Sequence, residues 1–534
     1  MTRHKKGHKK SKKTHFGPER KITGKVGGAR LGVRPDRVTG RVLDPGGKID
    51  CSEESLIELT AADLNLSGQG VARRDGMVYF VNGLLLGETA PCRLLDRRKN
   101  YAVAEPAAKP QTAAAHSRQS RPRSAKTSLL PKDGTSSFSP SPDRVEPACS
   151  LFPACGGCDL QHLTYEAELR WKQKQVFDAL VRIGSFAEKT VLDLLAPVIG
   201  MAEPVAYRNK MQFPVTAKGI GFYQKGSRSV VDGACCPAGL PPADLVRDSF
   251  RNYMKRFSLS TYDGAIGLGL VRHLLVRVGE RTRECMVCPI VTEPDMPGLG
   301  EWLSDLNGRL KTIGYSLTSA FININRDRRN RILGREFRHC FGSDVIYEEV
   351  GGIRYRISPA SFFQVNTKQA EVLFKQVVKF AGVRPTDTVF DLYGGTGSIA
   401  LQLAGFCQQV IGNEMVEAAV EDARKNARDN GILNARFVTG KAEAVVPDLY
   451  REGVRADVVV VDPPRKGCDG ALLDTLCKMQ PRRLVYVSCN PATLARDLKI
   501  LADEGSFQLE RVQPVDMFPR TTHVETVVLM SRES

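Results

Sequence analysis

The chain has 534 residues, of which 42% are hydrophobic and 25% are charged, a length and composition that suit about three or four globular domains. No apolar run approaches the roughly 20 residues that cross a bilayer, and the charged amino terminus lacks the apolar core of a secretory signal. We therefore expect a cytoplasmic protein without membrane contacts, whose 14 cysteines serve as metal ligands or catalytic groups rather than as disulfides.

The net charge of +18 is concentrated in two segments. Residues 1–41 hold fourteen Lys or Arg and two acidic residues, and residues 106–147 hold seven basic and three acidic residues. Few large apolar residues predict a basic disordered tail over residues 1–48. Abundant Ala, Ser, Pro and Arg predict a low-complexity linker without fixed structure over residues 106–147. Basic arms bind nucleic acid through salt-sensitive contacts; a merely solvating tail is the alternative.

Residues 49–105 carry short β patterns that are separated by glycine turns, at residues 56–59, 68–73, 76–81 and 90–95. Strands of this length and spacing predict a small β-barrel, a fold that often binds RNA. The pattern resembles a TRAM domain, which is an RNA-binding module.

Three cysteines lie within ten residues, at Cys149, Cys155 and Cys158, and two glycines separate the last two. This arrangement of thiols, with glycines that let the backbone wrap closely, is typical of a soft-metal site. A fourth ligand must come from elsewhere, and Cys235 and Cys236 are the nearest candidates. An iron–sulfur cluster, a zinc ion and no metal at all remain open on the residues alone.

The following residues, as far as 345, predict a central domain with helical spacing over residues 165–182 and then alternating strands and turns. Its interleaved basic and aromatic residues suit RNA, where cations hold phosphates and rings stack on unpaired bases; solvated strand edges would look similar. Cys285 and Cys288 form a second C-x2-C pair, but they lie in an apolar strand pattern, so we expect them to be packing residues.

From about residue 383 the pattern is a repeated βαβα. A strand at residues 388–392 runs into the glycine turn at residues 393–397, which precedes a helix. The next strand, residues 409–414, ends in Glu414, about twenty residues after the turn, where a carboxylate can reach ribose hydroxyls. These features predict a nucleotide-type ligand at the helix start, but they do not separate a dinucleotide from S-adenosylmethionine.

Two further strands help to distinguish between these two ligands. Residues 456–461 end in the Asp-Pro-Pro-Arg sequence that begins at Asp462, which is typical of methyltransferases that act on nucleic acids or proteins. Residues 484–488 run into Cys489, and Asn-Pro then starts a helix. Because parallel strands end at one edge of a sheet, Glu414, Asp462 and Cys489 should lie close together there.

The sequence resembles the RNA uracil-5-methyltransferases, specifically the iron–sulfur branch that methylates 23S ribosomal RNA. Four segments carry the resemblance: residues 358–366 (Ser-Pro-Ala-Ser-Phe-Phe-Gln-Val-Asn), 462–467 (Asp-Pro-Pro-Arg-Lys-Gly), 487–491 (Val-Ser-Cys-Asn-Pro) and 522–526 (Thr-His-Val-Glu-Thr). The similarity covers about residues 50–105 and 148–534. Gly394 stands where many members have cysteine, which removes no proposed ligand.

The resemblance implies an α/β architecture: a Rossmann-like class I methyltransferase domain over residues 346–534, a TRAM-like barrel over 49–105 and a central α+β iron–sulfur and RNA-binding domain over 148–345. The helix near residues 165–185 should pack on the catalytic domain. We expect a monomer.

The resemblance also implies roles for individual residues. The S-adenosylmethionine contacts are implied at Gln364, Tyr393, Glu414 and Asp462. Cys489 is implied as the nucleophile and Glu525 as the base. A [4Fe–4S] cluster is implied on Cys149, Cys155, Cys158 and Cys236, of which the last is followed by proline as in the family.

These residues predict methyl transfer from S-adenosylmethionine to carbon 5 of a uridine, through a covalent bond between Cys489 and carbon 6 of the base. The expected substrate is 23S ribosomal RNA. A transfer-RNA uracil-5-methyltransferase and a non-catalytic RNA-binding or ribosome-assembly protein are the alternatives.

Overall fold

The computed structural model describes residues 56–108, 138–233, 235–329 and 331–532; the predicted basic tail lies outside them. The first described unit is a six-stranded sheet. Its strands are β1 (Ile57–Thr60), β2 (Asp63–Leu64), β3 (Gly70–Arg74), β4 (Met77–Val81), β5 (Thr89–Arg97) and β6 (Tyr101–Pro106), in the order β1-β5-β6-β4-β3-β2. Alternate residues such as Leu59, Ala72 and Val81 point into its core. The strands lie close to the predicted β patterns, and the TRAM-like assignment stays a prediction.

The carboxyl-terminal part of the predicted linker is ordered against this sheet. The Ser139 N–H donates to the Thr89 carbonyl at 3.0 Å, and the Arg144 guanidinium makes two hydrogen bonds of 2.6 Å to the buried carboxylate of Glu88. The prediction that residues 106–147 lack fixed structure is therefore wrong for residues 138–147. Their composition resembles a linker, but the buried ion pair and backbone bonds fix them.

The central region contains a seven-stranded sheet and four helices. The helices are α1 (Tyr165–Arg182), α2 (Glu188–Leu194), α3 (Pro241–Arg256) and α4 (Leu299–Thr312). The strands are β7 (Lys210–Thr216), β8 (Gly219–Tyr223), β9 (Val230–Asp232), β10 (Val271–Val278), β11 (Glu284–Val291), β12 (Ser316–Ile324) and β13 (Glu336–Gly342), in the order β13-β12-β11-β10-β7-β8-β9.

The two faces of this central sheet have different partners. One face, with residues such as Phe213 and Val276, shares a core with α3 and α4. The opposite face, with Leu275 and Cys288, shares a core with Phe363 and the residues that follow it. Cys285 and Cys288 are both fully buried in β11, as expected for packing residues.

The carboxyl-terminal region begins with the hairpin β14 (Ile346–Val350) and β15 (Ile353–Ile357) and then forms an α/β sheet. Its helices are α5 (Thr367–Ala381), α6 (Ser398–Ala404), α7 (Glu417–Asp429), α8 (Ala442–Arg451), α9 (Gly470–Met479) and α10 (Pro491–Gly505). Its strands are β16 (Thr388–Leu392), β17 (Gln409–Glu414), β18 (Ala435–Thr439), β19 (Val458–Val461), β20 (Arg483–Ser488), β21 (Phe507–Val515) and β22 (Glu525–Arg532).

The sheet order is β18-β17-β16-β19-β20-β22-β21. The first five strands are parallel, and β22 pairs antiparallel with both β20 and β21. Strand β19 consists of four valines. All four are fully buried, because helices cover both faces of the sheet. This confirms the predicted Rossmann-like class I fold.

Helix α1 precedes the central sheet in sequence, but it packs against the carboxyl-terminal region. Its residues Val176 and Leu180 share a core with Leu494 and Leu498 of α10. Thr164 caps the helix by accepting the Ala167 N–H. Among the described residues, no helix is long and apolar enough to cross a membrane.

Candidate active site

Three of the predicted donor-site residues lie at the carboxyl ends of neighbouring strands. Leu392 of β16 pairs with Asn413 of β17 and Val461 of β19. The next residue along each strand is Tyr393, Glu414 or Asp462. The structure therefore brings these three positions together at the carboxyl edge of the sheet, where α/β folds bind ligands.

The glycine turn is shaped to approach a ligand closely. Tyr393, Gly395 and Gly397 have positive φ angles of 64°, 55° and 81°. A side chain at Gly397 would also lie 3.0 Å from the ring of Phe437. Both the positive φ angle and this close approach therefore favour glycine at this position. The Gly395 N–H donates to Glu414 at 3.2 Å, which joins the turn to the acid at the end of β17.

Two carboxyl groups lie close to this turn: Asp391, which is fully buried, and Asp462, which is half-buried. Burial raises the pKa of Asp462 to about 7. Burial, and then the negative charges of Asp462 and Glu414, raise the pKa of Asp391 to about 7, although the Ala400 N–H donates to it at 2.8 Å. The other oxygen of Asp391 has no hydrogen-bond partner among the described residues. Clustered acids of this kind favour a cationic ligand, such as a sulfonium.

Cys489 and Glu525 face each other across two antiparallel strands. Ser488 of β20 pairs with Thr526 of β22, and one step further along the two strands are Cys489 and Glu525. Burial, followed by the charges of Glu525 and Asp462, raises the pKa of the half-buried Cys489 to about 11. Burial, followed by the charge of Asp462, raises the pKa of Glu525 to about 8. The predicted nucleophile and the predicted base therefore lie close to Asp462, which is one of the predicted donor contacts.

Arg465 supplies positive charge at this pair. Its guanidinium lowers the pKa of both Cys489 and Glu525, against the larger effect of burial. It lies 3.0 and 3.3 Å from the two ring nitrogens of His523, and its carbonyl accepts from the Asn490 side chain at 3.0 Å. The sequence placed Arg465 and His523 in two separate motifs, without indicating that they meet.

Gln364 is fixed through its backbone. Its carbonyl accepts from the Asn209 side-chain amide at 3.0 Å, and the Asn209 N–H donates to Val365 at 2.8 Å. Asn209 was not predicted as a site residue, although it follows a basic residue in the pattern assigned to RNA binding. The Gln364 side chain is half-buried, and its contact with the donor stays a prediction.

The four predicted cysteine ligands line one pocket: Cys149, Cys155, Cys158 and Cys236. The Gly157 N–H donates to the Cys155 sulfur at 3.4 Å. The N–H groups of Ala238 and Gly239 point at the Cys236 sulfur and lower its pKa, against the larger effect of burial. Cys235 is exposed, whereas Cys236 is half-buried.

The charge around this pocket suits a negatively charged group. Arg208 lines it and lowers the pKa of Cys155 and Cys158, although burial raises both. The Nε of Arg208 is buried without a hydrogen-bond partner among the described residues. In the part of the chain that the structure describes, no three His, Cys, Asp or Glu side chains are already grouped to hold a metal ion.

The sheet order, the glycine turn and the acids at the carboxyl ends of β17 and β19 define a class I S-adenosylmethionine-dependent methyltransferase. The model of the tRNA (uracil-5-)-methyltransferase family matches residues 323–533. Uncharacterized RNA methyltransferases of Halalkalibacterium halodurans and Listeria innocua are 40% and 39% identical, over 90% and 89% of this chain and 97% of each relative. The chain belongs to the RNA uracil-5-methyltransferase family, and it is an S-adenosylmethionine-dependent RNA methyltransferase.

A solved structure extends the similarity over most of the chain. It is the tRNA (uracil-54, C5)-methyltransferase of Pyrococcus abyssi in complex with S-adenosyl-L-homocysteine, with 26% sequence identity and a TM-score of 0.67. The alignment covers 89% of this chain and 99% of the other chain.

Proposed function

We propose that this enzyme methylates carbon 5 of a specific uridine in RNA through a covalent adduct between Cys489 and carbon 6 of the base. The observation that carries this proposal is the placement of Cys489 opposite Glu525, beside Asp462 of the donor site. Carbon 5 of uracil is a poor nucleophile, so an enzyme that methylates it must first make the ring electron-rich.

The Cys489 thiolate would attack carbon 6, and the electrons of the carbon 5–carbon 6 double bond would move into an enolate. Bound S-adenosylmethionine supplies the methyl group, which forms a bond to carbon 5 as its bond to the donor sulfur breaks. S-adenosylhomocysteine is the other product. Glu525 then removes the remaining proton from carbon 5. The double bond re-forms, and the Cys489 sulfur leaves carbon 6 with its bonding electrons.

The surroundings of Cys489 indicate how a thiol of high pKa could react. Arg465 lowers the pKa of the thiol, and helix α10 begins two residues later at Pro491. A helix amino terminus stabilises a thiolate. For the donor, we propose contacts at Gln364, Tyr393, Glu414 and Asp462, supported for the last three by their adjacent strand ends.

Two variants test the chemistry. Cys489→Ala should abolish methyl transfer while leaving S-adenosylhomocysteine binding unchanged. Glu525→Gln should stop the reaction after methylation, so that an RNA–protein adduct survives denaturing electrophoresis. Cys340→Ala removes an exposed thiol on β13 and should react like the wild type. Normal turnover by Cys489→Ala would rule out the mechanism, and normal turnover by Glu525→Gln would require another base.

We also propose that Cys149, Cys155, Cys158 and Cys236 hold a [4Fe–4S] cluster. Their shared pocket, the N–H groups directed at sulfur and the unpartnered Nε of Arg208 support this proposal, because hydrogen bonds to sulfur stabilise such clusters. We favour a structural cluster, since the uridine reaction transfers no electrons.

Metal analysis of anaerobically purified protein tests the cluster. We expect about four iron atoms per chain and broad iron–thiolate absorption in the visible range. Cys236→Ala should lose most of the iron, whereas Cys285→Ala, a buried packing cysteine, should keep it. Stoichiometric zinc in colourless protein would assign the site to zinc instead.

We propose that the substrate is 23S ribosomal RNA, because the cysteine motif and the amino-terminal sheet resemble those of the ribosomal branch of the family. We also propose that the enzyme is cytoplasmic and monomeric. Transfer RNA is the second candidate, because the matching family model and the Pyrococcus abyssi structure are both named for tRNA methylation.

A further inference from the structure

Two basic side chains lie opposite each other in the middle of the central sheet. Lys210 of β7 and Arg277 of β10 are directly paired in the antiparallel register. Like charges in this position repel each other. Arg277 is 3% exposed and Lys210 is half-buried, so water screens this repulsion poorly.

Among the described residues, no acidic side chain compensates these charges. Neither cation has a carboxylate within ion-pair distance in those ranges; the Cys288 thiol raises the pKa of Arg277, but the effect of burial is larger. Burial and the charge of Arg277 lower the pKa of Lys210 to about 8, and burial lowers that of Arg277 to about 10. Both groups therefore remain mainly protonated at neutral pH. Buried charges in proteins are normally paired.

The hydrogen bonding of Arg277 is also incomplete. Its guanidinium donates to the carbonyl of Ser361. Its Nε, however, is buried without an acceptor in the part of the chain that the structure describes. The Arg277 guanidinium therefore keeps one N–H group that could donate a hydrogen bond to an anionic ligand.

The pair lies on the face of the central sheet that is turned toward the methyltransferase region. Leu275, two residues before Arg277 and on the same face, shares a core with Phe363. Asn209, the residue before Lys210, holds the carbonyl of Gln364. The two cations therefore lie next to residues 361–365, which lead to the proposed donor site.

We propose that Lys210 and Arg277 form an oxyanion subsite that holds a phosphodiester of the bound RNA strand. Lys210, the more accessible group, contacts the phosphate, and Arg277 adds positive charge and positions residues 361–365. This inference rests on the proposed function, since it names a part of the RNA that the same enzyme holds. The carboxylate of the methyl donor is the competing oxyanion.

Salt-dependent binding of a short labelled oligouridylate tests this subsite. The full-length protein is loaded with S-adenosylhomocysteine, so no turnover is needed, and failure here leaves the proposed methylation untouched. Loss of one phosphate contact should weaken binding and reduce the slope of log Kd against log salt by about 0.7. We expect this reduction for Lys210→Gln. Lys210→Arg keeps the charge and should restore the slope.

The matched control is Lys311→Gln, because Lys311 is exposed at the end of α4, on the opposite face of the central sheet. It should keep the wild-type slope. An unchanged slope in Lys210→Gln would overturn the proposal. Weaker binding of S-adenosylhomocysteine to Lys210→Gln, with an unchanged RNA slope, would also overturn it and assign the two cations to the donor carboxylate. Thermal unfolding of each variant verifies that it is folded.

Discussion

At the scale of single residues, burial and then the acidic neighbours of Cys489 oppose ionisation of its thiol in the free enzyme. Its pKa of about 11 and the pKa of about 8 for Glu525 mean that both groups hold their protons at neutral pH. Asp462, also with a raised pKa, adds to this excess of acids. A sulfonium ion would supply the missing positive charge, so donor binding should favour the charged forms of all three groups.

The raised pKa values of this pair predict a rising pH profile. Glu525 accepts a proton only when it is ionised, so turnover at saturating substrates should rise with pH toward its pKa of about 8 and continue to rise as the thiol ionises. Arg465 lowers both pKa values. Arg465→Gln should therefore raise them and move the rising limb to higher pH. Below the limb, turnover should fall about tenfold for each pH unit by which the limb moves.

The control for this profile is Arg455→Gln, since Arg455 is an exposed residue that stacks on Tyr450. It should leave the profile unchanged. A limb that moves to lower pH in Arg465→Gln would contradict the assigned effect of the guanidinium.

At the scale of elements, a buried ionic network ties α1 to the segment that precedes β22. Lys172 is fully buried and donates to Glu168 and Asp516, both at 2.7 Å. Tyr165 donates to the other oxygen of Asp516 at 2.7 Å, and the Arg520 N–H donates to Glu168 at 2.8 Å. Because Glu525 follows this segment, the network helps to fix the strand that carries the proposed base.

Removing the cation of this network should be costly. Lys172→Met would leave Asp516 buried without its cation and Glu168 with only Arg520, whose guanidinium lies 3.6 Å away, so we expect a loss of about 3–5 kcal/mol in the free energy of unfolding. Lys174 lies on the same helix but makes partly exposed ion pairs with Asp63 and Asp178. Lys174→Met should cost no more than about 1 kcal/mol. Chemical denaturation measures both variants, and equal losses would contradict the special role of Lys172.

The sequence could predict individual helices and strands, but it could not predict pairings between distant parts of the chain. Apolar strand patterns and helical spacing were sufficient for β16, β17 and α1, whose predicted and observed bounds agree. The parallel order of strands predicted that Glu414 and Asp462 would meet. Pairings across distant parts of the chain, such as Arg144 with Glu88 or Lys210 with Arg277, leave no local periodicity. Neither pairing was therefore predicted. The neutralisation of Glu88 by Arg144 and the uncompensated positive charge of Lys210 and Arg277 were not predicted either.

At the scale of the whole molecule, most of the net positive charge lies outside the catalytic region, in residues 1–41 and 106–147. Such charge strengthens RNA binding without selecting a sequence. Selection of one uridine requires contacts with base edges and RNA shape, which we predict for the central and amino-terminal sheets. Because the Pyrococcus abyssi tRNA enzyme aligns with 89% of this chain, the overall architecture does not itself separate ribosomal from transfer RNA.

Mapping of 5-methyluridine in the two RNA classes decides between them. The proposed ribosomal substrate predicts that cells without this protein lose 5-methyluridine at a discrete position in 23S ribosomal RNA and keep it in transfer RNA. The wild-type gene should restore that modification, and a Cys489→Ala gene should not, because the nucleophile is missing. Loss confined to transfer RNA would overturn the ribosomal assignment but leave the cysteine mechanism standing, since both substrates present the same carbon 5 to the same pair of side chains.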